Sequence, residues 1–536
     1  MLRILVADKI AEEGLARLGA EAGLEVEVRT GLAPSELGRI VGDFDGMIIR
    51  SGVQVTGEAL ARPGRLRVIA RAGVGVDNVD VPAATAAGVL VMNTPDANTI
   101  STAEHTMGML LAAMRRIPRA DAHVRGGGWD RKAFVGSQLS GKVLGVVGLG
   151  RVGSAVAERA LAFGMRVTAF DPFLRSETAL DGRVRVVRSL EELLPAVDCL
   201  SLHATLTEET RNLIGAAQLA LMKPTAVLVN CARGGLVDEA ALAGALQQGR
   251  LAGAAVDVFA EEPPRACPLA ACRSAVLTPH LGASTEEAQT AVSTEAVDSL
   301  LDYLLRGKIR GAVNVAGLPA NLTERDRAWL DLAGRMATIL SPLCREGVDR
   351  VELMARAEGP LAALCPTLGL TALVELMSPH IEGRLNLVNA GEFARRRGIE
   401  LRHSAESRTG GFHETITLSI DRQGTVHTVE GAVFRDSRPR ILAIDGYRME
   451  MVPEGHLVLI FNDDRPGVIG LVGTVLGNAA INIADMVLSR RAKTALMLLK
   501  VDAPVPEAVL EQLRGSPAIL SVQPVRLAGL AGGPKG

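Results

Sequence analysis

Short apolar runs and amphipathic stretches take turns along the first part of the chain. RILVAD, VEVRT, GMIIRS and RLRVIARAG read as strands, and the segments through GLARLG and across 36–41 read as helices. That alternation predicts an open α/β unit. From Ser101 a long apolar helix (TAEHTMGMLLAAMRRI) leads to a second series of strands at KVLGVV, RVTAFD, DCLSLH, AVLVNCA, LAGAAVDVF and AVLTPH. These fit a doubly wound parallel sheet whose strand ends carry a site. After Ser284 another long helix, AQTAVSTEAVDSLLDYLL, can return the chain to the first unit. The reading is therefore a flavodoxin-like domain in two pieces, 1–97 and 285–312, with a Rossmann domain at 98–284 inserted in it.

The pattern changes after Gly311. A helix at AWLDLAGRMATIL precedes strand-like runs ETITLSI, HTVEGAV and RILAIDG, which suggests an α+β intervening domain at 313–452. No acid/base constellation stands out there. From 453 to 528 the order is strand (HLVLIFN), helix (GVIGLVGTVLG), strands (INIADMVLS and TALMLLKV), helix (EAVLEQLR) and strand (AILSVQPV). That is βαββαβ, a split ferredoxin-like unit, with a frayed tail expected at 529–536.

Composition narrows the class. A chain of 536 residues exceeds what one core supports, and 48% hydrophobic with 22% charged residues is ordinary globular material. A net charge of −2 leaves no footprint for nucleic acid or anionic lipid. The six cysteines form no CxxC pair, which points to reduced thiols, and no apolar stretch is read as approaching the length of a bilayer span. A cytoplasmic location follows as an expectation.

The chemistry begins at GLGRVG. Gly148, Gly150 and Gly153 follow a β-rich run and open a helical one, and Asp171 closes the next strand. Gly148 suits a tight turn, Gly150 a close approach of backbone to pyrophosphate, and Gly153 close packing of helix on strand. Asp171 can accept ribose hydroxyls and would repel a 2′-phosphate, so NAD is expected rather than NADP. Arg233, Glu262 and His280 fall at or just after strand ends on the carboxyl side of the same sheet. A guanidinium there can clamp a carboxylate, an imidazole can take a hydroxyl proton, and a carboxylate can orient the ring. The residues alone do not choose between Glu261 and Glu262.

Together GLGRVG, Asp171, NCARGG, DVFAEEP and TPHLGAST resemble the D-isomer-specific 2-hydroxyacid dehydrogenase family over roughly the first 310 residues. The resemblance implies that Arg233 binds and polarises substrate, that Glu262 is the histidine's partner, and that His280 is the acid/base. It places Arg151 and Val152 under the pyrophosphate and Asp171 on the adenosine ribose. Val74, Thr205, Cys231, Ala232, Asp257, Gly282 and Ala283 complete the cofactor set. No metal is implied.

The whole length is similar to the long-form, 3-phosphoglycerate-oxidising branch of that family. That implies a phosphorylated 2-hydroxy acid as substrate, held by Arg50, Arg71 and Arg131, the last reaching across from another subunit. The final unit resembles an ACT domain, with Asp464, Asn482 and Asn462 as an L-serine site; relatives carry histidine or tyrosine where Asn462 stands. A homotetramer regulated by L-serine is the expectation. The alternatives are a reductase of hydroxypyruvate, glyoxylate or 2-oxoglutarate, and an NAD-sensing regulatory protein. Arg395 to Arg397 read as a solvated helix face in preference to an anion site.

Overall fold

The computed structural model describes residues 1–315, 318, 322–344, 347–381, 384–406 and 414–530. The strands β1 (Leu2–Val6), β2 (Leu24–Val28), β3 (Gly46–Ile49), β4 (Val68–Arg71) and β5 (Leu90–Asn93) form an all-parallel sheet in the order β2-β1-β3-β4-β5. That is the flavodoxin-like order. All of β3 is buried. Apolar layers lie on both faces of this sheet, so GMII needs no polar alternation.

The second sheet is built from β6 (Val143–Val147), β7 (Arg166–Phe170), β8 (Thr178–Ala179), β9 (Val184–Val187), β10 (Cys199–Leu202), β11 (Val227–Asn230), β12 (Gly253–Val256) and β13 (Ala275–Leu277). Its order is β13-β12-β11-β10-β6-β7-β9-β8, parallel except for the short β8. Winding reverses between β6 and β10, which opens a crevice at their carboxyl ends. The helix Thr99–Arg115 puts Ala103, Met107, Leu110 and Met114 into the core of this domain. The helix Glu286–Arg306 does the opposite. It is capped by Thr285, ends on Gly307, and buries Val292, Ala296, Val297, Leu300 and Leu304 with the first sheet.

A six-stranded sheet follows, from β14 (Arg350–Arg356), β15 (Glu400–Glu406), β16 (Thr415–Arg422), β17 (Thr425–Val433), β18 (Pro439–Ile444) and β19 (Tyr447–Met451), in the order β15-β14-β16-β17-β18-β19. The apolar pattern does not pick out β15, and its position explains why. It is an edge strand whose residues are exposed apart from partly buried Leu401, so no period of two is written into it. The last sheet comprises β20 (Gly455–Asp463), β21 (Ile483–Arg491), β22 (Thr494–Val501) and β23 (Ile519–Leu527) in the antiparallel order β21-β22-β20-β23. Of the tail expected at 529–536, residues 531–536 lie outside the described residues.

One expectation is corrected here. The segment Pro360–His380, 21 residues with a mean hydropathy of 1.6, is long and apolar enough to cross a membrane. Its helix, Pro360–Met377, is the core helix of the third domain, with Leu361, Leu364, Leu368, Leu373 and Leu376 buried in one cluster with β14 and β16. That cluster also takes in Leu457, Leu459, Leu496, Leu498, Val525 and Leu527 of the last sheet, so the third and fourth domains share a core. Arg335, only 8% exposed, rivets the seam. Its Nε donates to Asp331 at 2.7 Å, and Nη1 donates to the carbonyls of Pro453 and Ala528 at 2.8 and 2.5 Å.

The third domain meets the first through Val388 and Leu387, which join the core of the first sheet, and through polar contacts. Arg384 donates to the Leu66 and Gly64 carbonyls, and the Asn386 amide to that of Gly88. Among the described residues Cys199, Cys231, Cys267, Cys272 and Cys365 are free.

Candidate active site

At the end of β6 the chain turns on Gly148, whose φ of +87° suits glycine and whose Cβ would meet the His203 carbonyl oxygen at 2.7 Å. A Cβ on Gly153 would lie 2.0 Å from the Gly148 carbonyl oxygen, so helix Arg151–Ala162 packs this close only with glycine there. Gly150, the N-cap, faces open space. The three glycines thus leave a helix N-terminus accessible to an anion, and the residues present fit a dinucleotide. Asp171 has a second task. Its carboxylate accepts the Leu149 and Phe173 N–H groups, both at 2.9 Å, and ties the glycine turn to the end of β7. Arg151 pairs with Asp96, and Val152 packs against the core. Thr205 lies on the loop after β10, with its carbonyl bonded to Thr210 at 2.6 Å.

Three neighbouring strand ends present the polar groups. After β13, His280 sits at φ +56°, a left-handed conformation that costs a side-chain-bearing residue about 1 to 2 kcal/mol. Its Nδ1 lies 2.7 Å from Glu262 Oε2, and Glu262 Oε1 accepts the Phe259 N–H at 3.0 Å. Burial alone would raise the Glu262 carboxyl, but those two bonds hold it below the ordinary carboxylate range. Glu261 points elsewhere and pairs with Arg265 at 2.8 Å.

The buried Asp257, after β12, organises the whole turn. Its carbonyl accepts the His280 N–H at 2.8 Å. Its carboxylate takes Thr278 Oγ1, Leu281 N and Gly282 N at 2.6, 2.8 and 3.0 Å, with His105 Nε2 at 3.1 Å. Burial opposes its charge, and these donors outweigh burial and keep the carboxyl low. His105, Cys231 and Asp257 bring potential metal donors within 4.8 Å of one another, yet the carboxylate already accepts four donors. We read the group as a hydrogen-bonding network. Burial and the Asp257 charge push the Cys231 thiol up to about 12, so it is no nucleophile. Gly282 accepts Ser101 and Thr102 through its carbonyl, Ala283 accepts Gln289, and Val74 accepts Asn93.

Arg233, after β11, faces the first domain. Its Nη1 donates to the Ala232 carbonyl at 2.7 Å and its Nε to Asp77 at 3.2 Å, across the cleft. A Cβ on Gly75 would lie 2.2 Å from Nη2, so glycine makes the room. Arg71, at the end of β4, stands beside it. Burial first, and then the Arg233 charge, push the Arg71 guanidinium down to about 10, and its buried Nε has no hydrogen-bond partner among the described residues. Arg50 adds a third cation, also lowered by burial. Arg131 is exposed on the loop before Lys132–Phe134, and no recorded contact joins it to this cluster. Asp77 and His105 carry no motif of their own. The one signal for His105 is a polar residue inside an apolar helix pattern.

In the last domain Asp464 makes a two-pronged pair with Arg490 Nε, at 2.9 and 2.8 Å. Asn482 donates to Asp502 at 2.7 Å. Asn462 is buried, donates to the Asp463 carbonyl, and has an Oδ1 with no partner among the described residues.

Comparison with known proteins matches the chain domain by domain. Residues 107–282 match the D-isomer specific 2-hydroxyacid dehydrogenase NAD binding domain, 326–445 the D-3-phosphoglycerate dehydrogenase intervening domain, and 456–517 the ACT domain. The D-3-phosphoglycerate dehydrogenase of Methanocaldococcus jannaschii is 42% identical over 98% of this chain and 100% of its own length. That of Bacillus subtilis is 38% identical over 98% and 100%. Among solved structures, a glyoxylate reductase from Paecilomyes thermophila is 30% identical with a TM-score of 0.54, covering 58% of this chain and 98% of its own. The D-lactate dehydrogenase of Aquifex aeolicus, solved with NAD and lactic acid, is 28% identical with a TM-score of 0.51, covering 57% and 96%. With similarity running through all of its domains, the chain belongs to the D-3-phosphoglycerate dehydrogenase family of D-isomer-specific 2-hydroxyacid dehydrogenases.

Proposed function

We propose that this chain oxidises the C2 hydroxyl of 3-phospho-D-glycerate to 3-phosphohydroxypyruvate, the first step of L-serine synthesis. The observation that carries the substrate is the cation cluster of Arg50, Arg71 and Arg233, in which the buried Arg71 Nε has no acceptor among the described residues. A buried donor without a partner costs about 1 to 3 kcal/mol and is explained by a ligand that supplies the acceptor. A carboxylate and a phosphate on one small molecule fit three guanidinium groups. Arg233 holds the carboxylate, and Arg71 and Arg50 hold the phosphate. Arg131 would join from another subunit of the expected homotetramer. Exposed Trp129 and Val135 beside it favour a subunit contact there.

NAD, when bound, supplies the hydride acceptor, and Asp171 favours it over NADP by charge. Val74, Thr205, Ala232, Asp257, Gly282 and Ala283 line its place. His280 removes the hydroxyl proton through Nε2. Glu262 bonds Nδ1, fixes the ring, and stabilises the imidazolium that forms. Asp257 holds the left-handed turn that aims the ring. In the last domain, Asp464, Asn482 and Asn462 would form an L-serine site that regulates turnover. Free cysteines favour a reducing, cytoplasmic setting.

The test is steady-state turnover with 3-phosphoglycerate and NAD, with and without L-serine, for the wild type and His280→Ala. A fall in kcat of about 10²- to 10⁴-fold is expected of the variant. A loss of only a few-fold would remove His280 from the chemistry. Turnover of glyoxylate or hydroxypyruvate with none of 3-phosphoglycerate would favour a reductase of another 2-oxoacid.

A further inference from the structure

We propose that Asp77 is an internal competitor for the substrate's carboxylate at Arg233, an inference that rests on the substrate role given to Arg233 above. A carboxylate binds a guanidinium best through two parallel N–H bonds from one edge. Arg233 has committed Nη1 to the Ala232 carbonyl, which leaves the Nε/Nη2 edge as the matching fork. Asp77 Oδ2 already occupies Nε at 3.2 Å. Substrate and Asp77 therefore seek the same edge.

Two contrasts show that Asp77 is free to yield. Asp8, the other acid near these arginines, accepts the Arg50 and Val53 N–H groups at 2.7 and 3.2 Å and is fixed in its loop. Asp77 has Arg233 as its one recorded hydrogen-bonding partner among the described residues, and its side chain is 66% exposed. It can move into water at the cost of a single exposed ion pair, worth at most about 1 kcal/mol. Electrostatics also favours its departure. Three guanidinium groups face two carboxylates, of which only that of Asp8 is fixed, and a substrate bearing a carboxylate and a phosphate adds more negative charge than that balance neutralises. Removing Asp77 from the edge leaves the incoming anion with one repulsive neighbour fewer.

The competitor sets the affinity for substrate. It holds Arg233 extended across the cleft, and substrate binding exchanges one carboxylate for another on the same donors. The exchange breaks and forms hydrogen bonds only.

The experiment is steady-state kinetics with 3-phosphoglycerate on the full-length Asp77→Asn and Asp77→Ala variants, with Arg233→Gln alongside. Asparagine keeps an acceptor but loses the charge; alanine loses both. A competitor predicts that KM falls in both variants, by about two- to five-fold, with a smaller change in kcat. Damage to the fold does not lower KM. A KM that stays the same or rises in both variants overturns the proposal. So does a rise confined to Asp77→Ala, which would make Asp77 an orienting partner of Arg233. If Arg233→Gln leaves kcat/KM unchanged, the substrate reading of Arg233 fails and this inference fails with it. If Arg233→Gln lowers kcat/KM while neither Asp77 variant lowers KM, the competitor alone is wrong.

Discussion

Two arginines, Arg71 partly buried in the cleft between the first two domains and Arg335 buried in the seam between the last two, are treated in opposite ways. Arg335 is well partnered, with a carboxylate on its Nε and two backbone carbonyls on its Nη1. Arg71 is partly buried, its buried Nε has no hydrogen-bond partner among the described residues, its neighbours include like charges, and its pKa is pushed down to about 10. A guanidinium that the protein completes joins parts of the protein. One that the protein leaves incomplete is a place for something else. The same side chain is thus structural at the seam and a proposed ligand seat in the cleft, and the acceptors that the protein supplies mark the difference.

The contrast breaks most visibly at Arg71. Replacing it by methionine is expected to lower kcat/KM for 3-phosphoglycerate by about 10²- to 10³-fold, the loss of a buried charge-assisted contact. The folded protein should not suffer. Holding the charge costs stability wherever Arg71 is protonated, which is all pH values below about 10, and the cost fades only as pH rises past that value toward the unfolded one. In Arg71→Met, hydrogen exchange across β3, β4 and β5 should therefore be unchanged or slower, by up to about 1 to 3 kcal/mol. A variant that loses both activity and stability would show that Arg71 is structural after all.

Arg335→Met should give the mirror image. Two carbonyls and Asp331 lose their donor in a buried seam, and about 2 to 4 kcal/mol of local stability should go with it. Hydrogen exchange reads this where a single unfolding midpoint does not, because the chain has several domains. Faster exchange is expected at β23 and in the helix Glu324–Leu340, with turnover retained. Unchanged exchange in both would mean that the shared apolar core alone fixes the last domain.

How far the sequence revealed these two sites differs for a physical reason. The cofactor turn was legible because Gly148 and Gly153 are the residues that the backbone geometry requires, and glycine is written directly in the chain. Arg233, Glu262 and His280 were legible as a set because each follows an apolar strand whose carboxyl end faces the crevice. The choice of Glu262 over Glu261 was not, since neighbouring carboxylates differ only in where the turn aims them. Asp77 and His105 were out of reach for the same reason: their partners, Arg233 and Asp257, lie over 150 residues away in sequence. In the third domain, exposed edge strands carry no apolar period, so β15 could not be read. Arg335 is one of three arginines in its neighbourhood, and nothing local marks the one that is buried.

A third arginine tests the contrast at its weakest point. Arg490 is 69% exposed and grips Asp464 with both bonds near 2.9 Å, so its partner is complete although neither group is deeply buried. Asp464 is the one carboxylate of the proposed L-serine site, where the amino acid's ammonium group would meet it, and its charge cannot serve two cations equally. If acceptor completeness decides what a charged group is for, Arg490 should weaken the effector. Arg490→Ala should then bind L-serine about two- to five-fold more tightly than the wild type in calorimetry on the full chain, the scale of an exposed pair. Because Asn482 is held by Asp502 and not by Arg490, the gain should disappear when Asp464→Ala is added. Weaker binding by Arg490→Ala would place the guanidinium in the effector seat itself, where it would meet the amino acid's carboxylate. The pair would then be a half-built site like the one around Arg71, and completeness would have misled at the surface while holding in the interior.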